Sequence, residues 1–483
     1  MEYTEEIHSY LKDHRDEHVS RIQDLISRPS VSTENLGIRE MAQHLAGLFS
    51  DLGCDDVRVF ETPGHPIVYA HMDVGAEKTL IIYLMYDTVA IMPDEEWISP
   101  PMEGQIVDMP DLGRCIVGRG AVNTKGPLGA FVNTVEAIMA TTGTLPVNLK
   151  FIAEGEEEMA SRNLGGFIAE NVDLLAADAL FFPSARQQDS GRVMVTLASR
   201  RGITFELECS SKAWGRGPEW EIHAGQGALI DNPMWRLVEA LNCLVEQNGT
   251  EIKVDGFYDN ILPPDEEQSR LLDRLAEQWD EEDHKRKHGT KRFIGDVSGR
   301  DALEQLLFRP YLGIRGFYGG DTRPGGVTVT QAIIPNRAVC KIGGSLVPDQ
   351  DKYHIADLIR KHLDDNGYED VQMRMRESPN PHSDDTWRRI HADDPLVEAL
   401  IASNEQMGLE VELWPRSAGG WPGHLFQKFL GTSFISGGSG RGGSAHAPNE
   451  YLVLDGLPGV NGMVELEESY ARFLYEYAAI AGR

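Results

Sequence analysis

The stretch Lys78–Ala90, KTLIIYLMYDTVA, is an apolar run that passes directly into a loop beginning near Asp87. A short apolar run of this kind predicts a buried strand at 80–84. The same pattern recurs in LPVNLKFIAEGEEEMAS at 145–161, where a predicted strand at 147–152 leads into an acidic loop. Because open α/β sheets bind ligands beyond the carboxyl ends of their strands, both loops are candidates for a functional site.

The sequence on either side of these strands contains segments with helical periodicity. Apolar residues recur at helical spacing at 4–28, 39–52 and 126–140, and further short apolar runs predict strands at 57–60 and 67–70. Strands that alternate with helices are typical of largely parallel sheets. We therefore predict an α/β fold with a mixed, mostly parallel sheet flanked by helices.

The sequence pattern changes at about residue 199 and returns after the linker-like stretch ESPNPHSDD at 377–385. We predict a discontinuous α/β catalytic domain, 1–198 and 382–483, interrupted by an α+β sandwich at 199–381. The elements predicted after residue 199 are strands at 204–209, 327–333 and 338–347, a helix at 233–247, a loop-rich stretch at 255–310, a helix at 395–407, and strands near 411 and 433.

The composition limits the classes of partner. The 483 residues include 76 acidic and 45 basic side chains, which give a net charge of −31. This charge repels nucleic acid and anionic membranes, so neither is an expected partner. The five cysteines form no CxxC pair, and no apolar run reaches the roughly 18 residues of a membrane span. We predict a cytoplasmic protein that acts on a small-molecule substrate.

Four loops carry most of the polar residues expected at a hydrolytic site: YLMYDTVAIMPDEEW at 83–97, VGRGAVNTKGP at 117–127, FIAEGEEEMAS at 151–161 and GGSAHAPNEYL at 442–452. Their order and spacing, together with IHAG at 222–225 and LVPDQ at 346–350, resemble the zinc-dependent family of carnosine dipeptidase, acetylornithine deacetylase and succinyl-diaminopimelate desuccinylase. The resemblance is strongest to the carnosine dipeptidase branch. It implies a two-metal amidohydrolase or peptidase whose inserted domain serves as lid and dimer interface.

The resemblance also implies which positions hold metal, and most of them carry weak ligands. The positions of the first metal site are Met85, Asn123 and Ser184. The second site retains Glu158 and His446, with Asn123 as its third position. Catalytic zinc usually has three protein ligands and a water. We therefore expect an empty first site and at most one divalent ion, zinc or manganese, or none.

The acid–base residues that the resemblance implies are still present. Glu157 corresponds to the general base, and Asp87 corresponds to the carboxylate that orients a metal ligand from behind. His223, in the IHAG motif, corresponds to a histidine that reaches the partner subunit's site and stabilises the oxyanion. The resemblance therefore predicts a homodimer formed through the inserted domain.

The positions that the resemblance assigns to a substrate carboxylate are altered. A family Arg before LVP is replaced by Ser345, and a Ser in the turn RSAGGWP at 416–422 is replaced by Gly420. Losing an Arg–carboxylate fork argues against an ordinary dipeptide with a free C-terminus. The remaining candidates for substrate binding are Arg186, Arg416, Trp421 and Arg441, with Ser345 at the replaced position.

Two of these candidates have an alternative interpretation. Arg186 lies two residues after Ser184. Its guanidinium either faces the pocket and replaces part of the positive charge of a missing metal ion, or is solvated at the protein surface. Trp421 is either an aromatic wall of the pocket or a core tryptophan.

Three functions remain open on the sequence. The first is a hydrolase of an amide or related C–N bond with one metal or an altered metal site. The second is a metal-free acid–base enzyme, such as a lyase, an isomerase or an acyl-transfer enzyme, and the third is a non-catalytic binding protein. The changes at 123 and 184 remove two carboxylates, and Arg186 adds a cation, as a pocket without metals would require for neutrality.

Overall fold

The computed structural model describes residues 3–199, 201–246, 249, 251–321, 332–347, 350–375, 389–417 and 420–481. The chain divides into two compact units. The first unit comprises Met1–Ala198, Ser378–Trp414 and Trp421–Arg483, and the second comprises Ser199–Glu377 and Pro415–Gly420. The predicted linker at 377–385 and the predicted boundary at 382 lie within 376–388, outside the described residues.

One short segment departs from the predicted domain ranges. Pro415–Gly420 clusters with the second unit, although the sequence places all of 382–483 in the first domain. The reason is local packing, because the guanidinium of Arg416 lies over the ring of Phe308, 4.0 Å from its centroid.

The first unit is built on a six-stranded sheet that matches the predicted α/β fold class. Its first two strands are antiparallel to their neighbours, and the last four are parallel to one another. From edge to edge the strands are Asp56–Phe60, Ile67–Met72, Asn148–Glu154, Thr79–Met85, Ala179–Pro183 and Ser433–Gly437. Every residue from Leu80 to Met85 is buried, which explains the continuous apolar run in the sequence.

Helices and two smaller sheets complete the first unit. The helices are Glu5–Asp13, Arg15–Ser27, Ile38–Asp51, Lys125–Thr142, Leu164–Glu170, Val172–Leu175, Pro395–Gln406, Gly423–Leu430 and Met463–Ala481. A four-stranded sheet contains Gly442–Gly443, Tyr451–Gly456, Gly113–Val117 and Gln105–Met109, and a parallel pair contains Val411–Trp414 and Val193–Thr196. The single helix predicted at 4–28 is interrupted at His14, whose φ of −100° and ψ of 11° end the first helix.

The second unit is a two-layer α+β structure. Its antiparallel sheet has the strand order Tyr311–Tyr318, Arg337–Leu346, Arg201–Ser210 and Gln372–Met375. A buried cluster joins this sheet to the helices Pro233–Leu244 and Lys352–Asp365. The remaining elements are the helices Ser211–Trp214, Glu266–Gln278, Glu281–Lys287 and Gly299–Phe308, and a strand pair formed by Ile222–His223 and Ile333–Ile334.

The prediction that 255–310 is loop-rich is wrong. Three of the second unit's helices, the first at Glu266–Gln278, lie in this stretch. The first of them begins at a capping box in which Asp265 and Gln268 bond each other's backbone amides, and it buries only a narrow stripe at Leu271, Leu272 and Leu275. Such a stripe in a polar sequence gives a weak periodic signal.

Among the described residues, none of the helices has the length and apolar character that a membrane span requires.

Candidate functional site

Several loops that carry predicted site residues of the first unit begin at one edge of its large sheet. Met85 is paired with Glu154 at the ends of two parallel strands. Pro183 is paired with Gly437 at the ends of the next two. The loops that follow these four strands therefore start side by side, at the carboxyl edge where α/β sheets bind ligands.

Three predicted metal positions meet at this edge. Asn123 Nδ2 donates a hydrogen bond to Glu158 Oε1 over 2.8 Å and lies 2.8 Å from His446 Nε2. His446 Nε2 and Glu158 Oε1 are 2.9 Å apart. The hydrogen bond that His446 donates to the Glu158 carboxylate raises the pKa of His446, because a negative partner favours the imidazolium.

This donor set does not fit the two-metal centre that the resemblance implies. The neutral amide of Asn123 cannot supply the negative charge of a bridging carboxylate. Met85 is buried in the apolar core, and Ser184 Oγ is 2.7 Å from Ser436 Oγ. Within the described ranges, no three His, Cys, Asp or Glu side chains are grouped as they would be around a metal ion.

Protein purified without chelator is therefore expected to hold at most one divalent ion per chain. Elemental analysis of the purified protein would measure this, and anomalous scattering from crystals would locate the ion. Two anomalous peaks about 3.5–4 Å apart, the spacing of a two-metal centre, would contradict the expectation.

Asp87 fixes the acidic loop through its backbone. Its side chain is fully buried, and its two oxygens accept hydrogen bonds from the amides of Glu157, at 3.2 Å, and Glu158, at 3.1 Å. The resemblance implies that this carboxylate orients a metal ligand, whereas the partners observed here are main-chain groups. Asp87 therefore positions the two glutamates relative to the sheet edge.

The Glu157 carboxyl is the candidate base, and its environment favours the protonated form. Burial raises the pKa of Glu157 to about 8, and the negative charges of Glu158 and Asp87 add to the effect. Burial is also the main cause that raises the pKa of Asp87 to about 7. No described residue donates a hydrogen bond to the Glu157 carboxyl, which is therefore available to a ligand.

Sequence reasoning missed two charged residues in this region. Lys125 is fully buried and donates from Nζ to the Arg28 carbonyl over 2.5 Å, and burial lowers its pKa to about 7. Glu450 Oε1 accepts hydrogen bonds from the amides of Val122 and Asn123 at 3.0 and 2.8 Å. Both residues lie within loop motifs of the predicted site, Lys125 in VNTKGP and Glu450 in APNEYL. Their position in those loops is the sequence feature that could have identified them.

Arg186 binds two serines at the sheet edge. Its Nε donates to Ser184 Oγ over 3.2 Å, and its Nη2 donates to Ser436 Oγ over 3.1 Å. No hydrogen bond or ion pair joins it to Asp87, Glu157 or Glu158. The side chain is half-buried, and its role toward a substrate stays a prediction.

Arg441 and Trp421 take part in contacts within the first unit. Arg441 forms an ion pair with Asp189 and donates from Nη1 to the Gln187 carbonyl over 2.9 Å. Trp421 packs among aromatic side chains, with ring centroids 5.7 Å from Tyr83, 5.0 Å from Phe182 and 5.2 Å from Phe434. The indole therefore contributes to the core, and substrate contact by either residue stays a prediction.

The other predicted site residues lie in the second unit. His223 is exposed, and its Nδ1 accepts a hydrogen bond from the Gly225 amide over 3.0 Å. Ser345 is buried in the strand Arg337–Leu346, between Tyr311 and Gly202 on the neighbouring strands. Arg416 is buried against Phe308. Their roles toward a substrate stay predictions.

Comparison with known proteins gives a consistent assignment. The model of the family described as peptidase family M20/M25/M40 matches residues 82–473. A Cys-Gly metallodipeptidase of Candida albicans is 25% identical over 461 residues, which are 90% of this chain and 90% of that protein.

Two solved structures have similar folds. An M20 family metallo-carboxypeptidase from Sulfolobus solfataricus is 29% identical, with a TM-score of 0.82 over 96% of this chain and 99% of its own. Human carnosine dipeptidase 1 is 23% identical, with a TM-score of 0.81 over 98% of both chains. The likeness to the human protein concerns the fold alone.

Proposed function

The chain belongs to peptidase family M20/M25/M40, and from this membership we propose that it hydrolyses an amide or related C–N bond of a small molecule. Its relatives are named as dipeptidases and a carboxypeptidase, which supports amide-bond hydrolysis. The proposed enzyme differs from a two-zinc peptidase at the metal centre, because Met85, Asn123 and Ser184 do not supply the ligands that such a centre needs.

One observation carries the proposal. The loop that bears Glu157 is held by hydrogen bonds from two of its amides to Asp87, and no described residue bonds the Glu157 carboxyl. A general base must reach the proton that it removes, and a fixed carboxyl without an internal partner meets this requirement. Asn123 and His446 both bond Glu158 Oε1 nearby, and the three residues would line the same site.

The proposed reaction needs one base and one oxyanion donor. Glu157 acts in its ionised form, whose fraction rises as the pH approaches the raised pKa of about 8. The ionised carboxylate takes a proton from water, and the water oxygen forms a bond to the amide carbon. As the C–N bond breaks, Glu157 returns the proton to the leaving nitrogen, and the products are a carboxylic acid and an amine. The developing oxyanion requires a hydrogen-bond donor placed where the charge forms.

We assign that donor to His223 acting on the partner subunit's site. Its Nδ1 accepts a hydrogen bond from the Gly225 amide, so the neutral ring carries its proton on Nε2, which can donate to an oxyanion. Large apolar side chains near it in sequence are exposed, namely Trp220 by 67%, Leu229 by 84% and Trp235 by 70%. Exposed tryptophans are typical of protein interfaces, which supports a homodimer formed through the second unit.

The protein is expected to be a dimer in solution. Light scattering at micromolar concentration should give about twice the chain mass of 53.6 kDa. His223→Ala should remain dimeric and lower kcat by about a hundredfold, because removing one oxyanion donor typically costs that much. A monomeric wild type, or His223→Ala with unchanged kcat, would argue against this assignment.

A metal-free acid–base enzyme is the second candidate, and the closed Asn123–Glu158–His446 arrangement favours it. Such an enzyme would be a lyase, an isomerase or an acyl-transfer enzyme that uses Glu157 for proton transfer. A single experiment separates the candidates. The protein is incubated with Cys-Gly, β-Ala-His and N-acetylated amino acids, with and without added zinc or manganese, and free amine is measured.

Release of amine supports the hydrolase. Binding of a panel compound with conversion to another product would favour the metal-free enzyme, and binding with no conversion would favour a non-catalytic binding protein.

A further inference from the structure

Arg186 is a cation without a counter-charge in the part of the chain that is described. Its side-chain partners among the described residues are two neutral hydroxyls, Ser184 Oγ at 3.2 Å and Ser436 Oγ at 3.1 Å. No described Asp or Glu forms an ion pair with it. This distinguishes Arg186 from Arg119, which is fully buried in the first unit and pairs with Glu95 and Glu450.

The positive charge of Arg186 is balanced only in part by the described residues around it. The guanidinium stays charged at all physiological pH values. Burial lowers the pKa of Arg186, which means that the surroundings disfavour the cation. Hydroxyl oxygens offset only part of the cost of removing a charge from water, and an anion offsets much more. The site is therefore suited to an anionic ligand.

The guanidinium is also held in a fixed position. Ser184 and Ser436 come from the ends of two adjacent parallel strands, and their hydroxyl oxygens are 2.7 Å apart. The backbone amide of Arg186 donates to the Gly438 carbonyl over 3.0 Å. Gly438 has a φ of 139°, and a Cβ there would lie 2.1 Å from the Ser184 carbonyl oxygen, so the close approach of these two loops requires glycine.

Donors remain for a ligand after these contacts. A guanidinium has five N–H donors, and the two serines take one from Nε and one from Nη2. Nη1 has no hydrogen-bond partner among the described residues. Two parallel N–H donors match the two oxygens of a carboxylate, and such bidentate pairs are among the stronger hydrogen bonds in proteins.

We propose that Arg186, held by Ser184 and Ser436, forms a subsite that binds a carboxylate group of the substrate. That the ligand is a substrate rests on the proposed function, whereas the carboxylate binding itself does not. A monoanion fits better than a phosphate dianion, because the subsite offers a single positive charge in a chain with a net charge of −31.

Calorimetry with two matched compounds tests the proposal. N-acetylglycine carries a carboxylate, and N-acetylglycinamide is its neutral counterpart. The wild type should bind N-acetylglycine at least tenfold more tightly than the amide. Arg186→Ala and Ser436→Ala should each weaken N-acetylglycine binding, the first by about tenfold or more, and Arg186→Lys should recover only part of it.

Arg58→Ala is the matched control. The Arg58 side chain is exposed and, among the described residues, bonds only Asp56, so its loss removes one surface charge and should leave binding unchanged. Equal binding of both compounds by the wild type, undiminished binding by Arg186→Ala, or an equal loss in Arg58→Ala would overturn the subsite. Tighter binding of inorganic phosphate than of N-acetylglycine would overturn the carboxylate assignment.

Two further measurements keep the test decisive. Circular dichroism and thermal melting report whether each variant folds. If Arg186→Ala does not fold, Arg186→Lys and Ser436→Ala still decide the question. Because free amine is assayed separately from binding, carboxylate binding with no amide hydrolysis would contradict the proposed function and leave the subsite intact.

Discussion

Glu157→Gln is expected to lower kcat by a hundredfold or more on whichever substrate the wild type turns over. Gln has nearly the shape of Glu but cannot accept a proton from water. The two hydrogen bonds that hold this loop come from backbone amides to Asp87, so the substitution leaves them in place. The loss should therefore fall on kcat, with little change in KM.

Steady-state kinetics with Glu170→Gln as the control would measure this effect. Glu170 is exposed at the end of the helix Leu164–Glu170, so the same chemical change there should leave kcat unchanged. Circular dichroism and thermal melting of both variants would confirm that each is folded. If Glu157→Gln turned over at the wild-type rate, Glu157 could not be the base.

Glu450→Ala is expected to destabilise the first unit by about 3 kcal/mol, the cost typical of breaking a buried ion pair. Glu450 is fully buried, and its Oε2 accepts from Arg119 Nη1 over 3.1 Å. Its Oε1 accepts from the amides of Val122 and Asn123. Replacing Glu450 leaves those amides and much of the Arg119 charge without a partner, although Arg119 retains Glu95.

Urea denaturation followed by circular dichroism would give the free energy of unfolding for the transition of the first unit. Glu410→Ala is the control, because Glu410 is 72% exposed in its pair with Arg192, and exposed pairs contribute about 0–1 kcal/mol. Adding Arg119→Met to Glu450→Ala should recover part of the loss by removing the buried charge. A loss below about 1 kcal/mol in Glu450→Ala would contradict the expected role.

The central sheet could be predicted because burial on both faces leaves a pattern in the sequence. The strand Thr79–Met85 is buried from Leu80 onward, so its residues form a continuous apolar run. The helix Glu266–Gln278 was missed for the opposite reason. It buries a narrow stripe within a polar segment, and a narrow stripe in a polar segment resembles a loop.

The sequence by itself determined the family and the α/β fold class, because both depend on residue type and order along the chain. Only the tertiary structure decided which groups are partners. Asp87 bonds backbone amides 70 and 71 residues away, and Arg186 bonds Ser436 across 250 residues. Hydrogen bonds and desolvation depend on distances of a few ångströms, which folding sets and residue order does not record.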